Sequence, residues 1–226
     1  MTRSIIITGG TGALGRGVVQ RFLTAGDHVH IVDQSPDGGD FVEGLPAEQV
    51  TYHRLNVLDA DAAQAWAQTL PQADVLVNIV GGFSMGAFAE TNLKNLDHML
   101  NLNLRSGFIM TQALLSLLTQ SPHGRVINIG ARQALHGGAG VSAYALSKAA
   151  VVNLTQSLAQ EFLDTALTVN AVVPSTIDTP ANRKDMPDAD AQKWVTPEDL
   201  AHSIFFLASS EARAISGAIL PVYHRA

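Results

Sequence analysis

The chain has 226 residues, 46% of them apolar and 15% charged, which is a globular composition long enough for one sizeable core. A formal net charge of −6 with no basic cluster argues against nucleic acid as a partner, and no apolar run approaches the roughly 18 residues of a membrane span. There is no cysteine, hence no disulfide framework or thiolate nucleophile, and the eight histidines lack HExxH-type spacing, so no metal is expected.

Ser4-Ile-Ile-Ile-Thr8 reads as a short buried strand. It begins so early that no signal peptide is expected before it, and the simplest placement is a soluble cytoplasmic protein. Gly9-Gly-Thr-Gly-Ala-Leu-Gly15 follows at once, and Arg16 to Leu23 then reads as helix, with Val18, Val19, Phe22 and Leu23 on one side. In a strand–turn–helix context the glycines at 9, 12 and 15 let the backbone approach a pyrophosphate. The N–H groups of Ala13 and Leu14 at the helix start attract its charge. A second apolar run, His28 to Val32, ends in Asp33, eighteen positions past Gly15. A carboxylate there accepts the ribose hydroxyls of an adenosine and repels a 2′-phosphate, which favours NAD (as NADH) over NADP. Arg16 is the one nearby cation that argues otherwise. Gln34 to Gln49 carries Pro36, Gly38, Gly39, Gly44 and Pro46 and reads as loop with little room for a helix.

Further strands are expected at Val50–Leu55, Val75–Val80, Arg125–Ile129, Leu167–Val173 and Ala218–Val222, with helices at Asp59–Thr69, Asn92–Thr119, Val141–Asp164 and Pro197–Ser209. This alternation implies a single α/β Rossmann-type domain over residues 1–226: a doubly wound parallel sheet of about seven strands, flanked by helices on both faces. Ligands in such sheets bind beyond the carboxyl ends of the strands. The loops 80–86 and 174–197 are therefore the expected wall and lid of a pocket for a small-molecule substrate. In or beside them, Phe83 and Trp194 are flat rings that can stack on a substrate, while Arg132 and His136 are candidate polar contacts. The two long helices carry apolar residues (Leu114, Leu115, Leu117, Leu118, Val151, Val152, Leu154, Leu158) around more than one face, so a homo-oligomer built on them is expected.

Tyr144 and Lys148 stand at i and i+4 in Tyr-Ala-Leu-Ser-Lys and so share a helical face. An ammonium near a phenol lowers the phenol's pKa from ~10 by ~1–3 units, giving a proton donor that works near neutrality.

With these motifs in this order, the chain resembles the short-chain dehydrogenase/reductase family over its whole length. Thr8 to Gly15 resembles the family's glycine loop, in the TGxxGxxG form, with Ala13 where the commoner form has glycine. Asn78-Ile-Val-Gly81 stands where the family has NNAG, and Asn56 where it usually has an aspartate near adenine. Asn103 matches the helix asparagine that supports a proton-relay water, and Tyr144 and Lys148 match the catalytic pair. Asn170 to Pro174, continuing through Ile177 to Thr179-Pro180, matches the segment that holds the nicotinamide carboxamide, with Ser175 in place of the usual glycine. The resemblance implies an NAD(P)-dependent oxidoreductase in which Lys148 also bonds the nicotinamide ribose.

One departure is chemical. The family's catalytic serine, thirteen positions before the tyrosine, is Ala131 here. Losing an oxyanion donor commonly costs ~10²–10³ in rate. Three readings stay open: chemistry has been lost and a dinucleotide-sensing protein remains; Arg132, His136 or Ser175 supplies the donor for a carbonyl substrate; or the substrate needs no such donor. The segment from Gly130, the Gly81-Gly-Phe turn and the run Asp178 to Asp190 followed by Trp194 resemble the dihydropteridine reductase branch of the family. That branch shares the alanine, uses NADH and reduces quinonoid dihydropterin, a flat conjugated acceptor.

Overall fold

The computed structural model describes residues 2–225. The apolar run Ser4–Thr8 is strand β1, buried at every position, and Ala13–Thr24 follows it as helix α1. Then come β2 (His28–Asp33), α2 (Gly39–Glu43), β3 (Val50–Arg54), α3 (Ala60–Ala67) and β4 (Val75–Asn78). The second half holds α4 (Leu93–Leu100), a π-helical stretch at Asn101–Arg105, α5 (Ser106–Gln120), β5 (Arg125–Ile129), α6 (Gln133–His136), α7 (Ser142–Glu161), β6 (Thr168–Pro174), α8 (Pro180–Asp185), α9 (Pro197–Leu207) and β7 (Ile219–Val222).

All neighbouring strands are parallel, in the order β3-β2-β1-β4-β5-β6-β7. The chain winds outward from β1 to β3, returns through β4 and winds the other way to β7. The order reverses between β1 and β4, and the crevice at their carboxyl ends is where such sheets take ligands. Side chains alternate between two cores. Ile5, Ile7 and Ile127 face α1 and α9 with Phe22, Leu200 and Ile204, while Ile6, Leu76 and Val126 face α3 and α5 with Met110, Leu114 and Leu118. Fully burying one such side chain contributes ~1.5–3 kcal/mol, so these two layers hold the crevice rigidly.

The helix expected across Asn92–Thr119 is three pieces. Its middle winds as π-helix and carries Asn103 inward, a common device at functional sites. The stretch read as loop from Gln34 to Gln49 contains α2, entered through Gly38 at φ 77, a conformation L side chains rarely adopt. The 174–197 segment is likewise not plain loop. Thr179 caps α8 through the Asn182 N–H (3.1 Å), Ala191–Lys193 forms a 3₁₀ turn, and Ile177 bridges Val195. The strand expected at Val75–Val80 ends at Asn78, because the next two N–H groups turn to the Thr8 hydroxyl at 3.1 and 3.4 Å. On α5 and α7, Leu114, Leu118 and Val151 belong to the core, which leaves Phe108 and Leu146 as the exposed large apolar residues of these helices. Among the described residues no helix is long and apolar enough to cross a membrane, and no group of three or more His, Asp or Glu is placed to hold a metal ion.

Candidate active site

The turn after β1 is a cradle that only small residues permit. Gly9 has φ +68, and a Cβ on Gly15 would lie 2.7 Å from the Gly10 Cα, so the helix start is pressed onto the turn. Gly12 is the N-cap of α1 and offers no side-chain acceptor. The first-turn N–H groups, those of Ala13 and Leu14 among them, are left for an outside acceptor. This backbone suits a pyrophosphate.

Beside it, Asp33 receives the Thr11 N–H (3.2 Å) and Thr11 hydroxyl (2.5 Å) on one oxygen and the Gln34 N–H (2.7 Å) on the other. These bonds fix the carboxylate at the end of β2. Thr11 was not singled out from the sequence, although a hydroxyl inside a glycine turn facing an acidic strand end is the signal that identifies it. Arg16 gives its Nε to the Thr11 carbonyl (2.8 Å) and lays its guanidinium over the Phe41 ring at 4.9 Å. Asn56 is exposed at the end of β3, where its carbonyl oxygen accepts from Gln34 Nε2 (2.8 Å) and the Leu58 N–H (3.1 Å).

Across the crevice, α7 brings Tyr144 and Lys148 to the same side. Lys148 is buried and its Nζ donates to the Ile129 carbonyl at 2.8 Å. A Cβ on Gly81 would come within 3.3 Å of that Nζ and 2.7 Å of Asn103 Oδ1, so Gly81, Asn103 and Lys148 crowd one point. Asn103 donates to the Ser147 hydroxyl (2.9 Å) and the Gly82 carbonyl (3.1 Å) and accepts from the Gly82 N–H (2.9 Å). The Ser147 hydroxyl, also unforeseen, donates to the Tyr144 carbonyl at 2.7 Å. Asn103 thus clamps the loop after β4 to the turn of α7 that carries the pair. The Phe83 ring, 62% exposed, meets the Tyr144 ring edge-on at 4.9 Å between centroids.

The electrostatics correct the expectation for the phenol. Burial pushes Tyr144 up to about 12 and Lys148 down to about 8. The ammonium is spent on a backbone carbonyl, so desolvation outweighs any charge pairing. Tyr144 is therefore a protonated donor throughout the neutral range.

Asn78 lies inside the fold. Its amide nitrogen donates to Asn128 Oδ1 (2.9 Å) and the Thr111 hydroxyl (3.1 Å), and Asn128 continues to Thr155 (2.9 Å), which ties β4 and β5 to α5 and α7. Trp194 is 6% exposed and roots the lid in the protein, so its ring has no face left for stacking on a substrate. Arg132 is exposed with its guanidinium 5.4 Å from the Tyr223 ring centroid, and His136 is exposed at the end of α6. The Ser175 hydroxyl donates to the Tyr223 carbonyl at 2.8 Å. Pro174 ends β6 with its carbonyl on the Arg132 N–H (2.9 Å), the Ile177 carbonyl accepts from Asn182 Nδ2 (2.8 Å), and Thr179 caps α8. Ala131 is 3% exposed, closed over by its neighbours.

A parallel α/β sheet with a glycine cradle at its switch point and a tyrosine–lysine helix opposite defines a dinucleotide-dependent oxidoreductase scaffold. The family model for short chain dehydrogenases matches residues 3–190, and the chain belongs to that family. It is 30% identical, over 97% of its length and 94% of the relative's, to the (2S)-[(R)-hydroxy(phenyl)methyl]succinyl-CoA dehydrogenase subunit BbsD of Thauera aromatica. It is 29% identical, over 96% and 94%, to the 3-oxoacyl-[acyl-carrier-protein] reductase FabG of Thermotoga maritima. Among solved structures, ElxO with NADP bound superposes with a TM-score of 0.92 at 27% identity, covering 99% of this chain and 98% of that one. The protein is accordingly an NAD(P)-dependent oxidoreductase.

Proposed function

We propose that this enzyme is a reductase that prefers NADH and acts on a flat, conjugated, electron-poor acceptor of the quinonoid dihydropterin kind. The observation that carries the reading is the buried Ala131 where the family places a hydroxyl. The side chains able to replace it are engaged or exposed: Ser175 donates to the Tyr223 carbonyl, Arg132 lies against the Tyr223 ring, and His136 is exposed in the last turn of α6. An isolated ketone calls for an oxyanion donor. A quinonoid ring accepts hydride without one, provided a ring or exocyclic heteroatom receives a proton. The run Asp178 to Asp190 and Trp194 support the same substrate through their likeness to dihydropteridine reductases.

In this proposal the turn Gly9–Gly15 and the start of α1 hold the pyrophosphate, Asp33 the adenosine ribose, and Pro174, Ile177 and Thr179 the nicotinamide end. The bound nicotinamide supplies the hydride. Lys148 gives its remaining N–H groups to the nicotinamide ribose, and its bond to Ile129 fixes it there. Tyr144, protonated at neutral pH, delivers its phenolic proton to the acceptor. Asn103 is a positioning residue that holds Gly82 and α7 in register. Phe83, braced on Tyr144, presents an exposed ring face to a planar substrate, with Met85 (74% exposed) in the same loop. A cleft of about 180 Å³ between the Ser84–Gly86 loop and the start of α7 extends the site.

NADH oxidation with freshly generated quinonoid dihydropterin, run beside a panel of simple ketones, tests the proposal; turnover of the ketones alone would reject it. The names of the FabG and BbsD relatives favour a second reading, a carbonyl or alcohol oxidoreductase, and the same panel decides between them. For the assembly, exposed Phe108 (48%) and Leu146 (55%) on α5 and α7 support a homo-oligomer through those helices, checked by light scattering of the wild type and of Phe108→Glu.

A further inference from the structure

The amino-terminal edge of the sheet, away from the catalytic crevice, carries a second concavity. A cleft of about 610 Å³ opens between Arg3 ahead of β1, Asp27 ahead of β2, Arg125 at the start of β5, and the Ser209–Glu211 turn after α9. Two guanidinium groups line it, and their circumstances differ. Arg3 is neutralised: its Nε and Nη2 meet the two Asp27 oxygens at 2.9 and 2.6 Å, and its Nη1 donates to the Ala208 carbonyl at 2.8 Å.

Arg125 is 3% exposed and forms no ion pair among the described residues. Its Nη1 donates to the carbonyls of Gly124 (2.7 Å) and Ala166 (3.2 Å), whereas its Nε is buried without an acceptor. Asp74, whose carbonyl accepts the Arg125 N–H, directs its carboxylate to the Ser4 N–H (2.8 Å) and Ser121 hydroxyl (2.5 Å) instead. Burial and the neighbouring Arg3 charge hold the Arg125 guanidinium below its ordinary pKa. Two carbonyl dipoles at one end of the guanidinium fix its plane. The edge from Nε to Nη2 remains, and that edge matches two coplanar acceptor oxygens.

We propose that this cleft binds a small oxyanion, a phosphate or a carboxylate, held side-on by the Nε edge of Arg125 with His123 beside it. Glu211 is the carboxylate at the rim, bonded to the Ser210 hydroxyl at 3.4 Å, and it opposes the anion. The site lies at the opposite ends of the strands from the dinucleotide cradle, so anion and dinucleotide bind together.

The test is calorimetric titration of inorganic phosphate, and separately of succinate, into the protein saturated with NADH. The expected result is saturable one-site binding of at least one anion, weakened about tenfold or more in Arg125→Gln and tightened in Glu211→Gln. The tighter of the two probes identifies the ligand as phosphate-bearing or as a carboxylate. Glu211 is exposed, so Glu211→Gln keeps the test alive if Arg125→Gln fails to fold. Absence of saturable binding of both anions to the wild type, unchanged affinity in folded Arg125→Gln, or unchanged affinity in Glu211→Gln would each overturn the proposal.

Discussion

Lys148→Met exchanges a buried cation for an apolar side chain of similar length, and the fold should gain stability as activity is lost. In the folded protein Lys148 titrates at about 8, against 10.5 for an ordinary lysine, because burial penalises its charge. At roughly 1.4 kcal/mol per unit, that shift makes the charged form cost about 3 kcal/mol below pH 8. The bond to the Ile129 carbonyl is lost with the ammonium and takes back ~1–2 kcal/mol. The net expectation is ~1–2 kcal/mol of stabilisation at pH 7, a rise of roughly 2–8 °C in melting temperature for a chain of this size. The sign with pH follows from proton counts. Between 8 and 10.5 the unfolded chain holds the lysine proton and the folded one does not, so wild-type stability rises with pH across that window. The gap between variant and wild type should therefore close as the pH approaches 10. Urea melts of both proteins at pH 7 and pH 10 measure it. A variant less stable than wild type at pH 7, or a gap that ignores pH, would refute the claim that Lys148 is held in place against its own desolvation.

Tyr144→Phe should lower reductive turnover by ~10²–10⁴, the usual loss of a general acid, while NADH affinity measured by fluorescence stays unchanged. Asp33→Asn removes the charge that faces a 2′-phosphate, so the ratio of kcat/KM for NADH over NADPH should fall, chiefly through KM for NADPH. On the outer strands, His30 Nδ1 and His53 Nε2 lie 3.0 Å apart, and burial, followed by the charges of His53 and His28, holds His30 at about 4. Its folded pKa lies below the ordinary 6.5, so stability is intact above 6.5 and is lost as the pH falls toward 4. Discounted for its partial exposure the loss is ~1–2 kcal/mol; chemical melts from pH 7 to 4.5 should show it, and His30→Leu should flatten the slope.

The strand–turn–helix start, the parallel alternation and the i, i+4 pair were legible in the sequence because each is a local pattern whose geometry follows from its period. The Thr196-Pro197 pair marks a helix start for the same reason, threonine as cap and proline at the first turn, whereas the same pair at 179–180 lies in a stretch read as loop and starts α8. What escaped depends on contacts between distant segments. The π-helical stretch around Asn103 and the burial of Trp194 are set by packing across α5, α7 and the lid. The Tyr144 proton affinity escaped as well, since spacing places Lys148 nearby but does not reveal that its ammonium donates to the Ile129 carbonyl or that the phenol is buried.

The proposed substrate class is tested most directly by restoring the family's hydroxyl. Steady-state NADH oxidation by wild type and Ala131→Ser, with quinonoid dihydropterin and with a simple ketone, should show pterin turnover little changed and ketone turnover raised by ~10²–10³ in the variant. Wild-type protein that reduces the ketone with higher kcat/KM than the pterin would contradict the account.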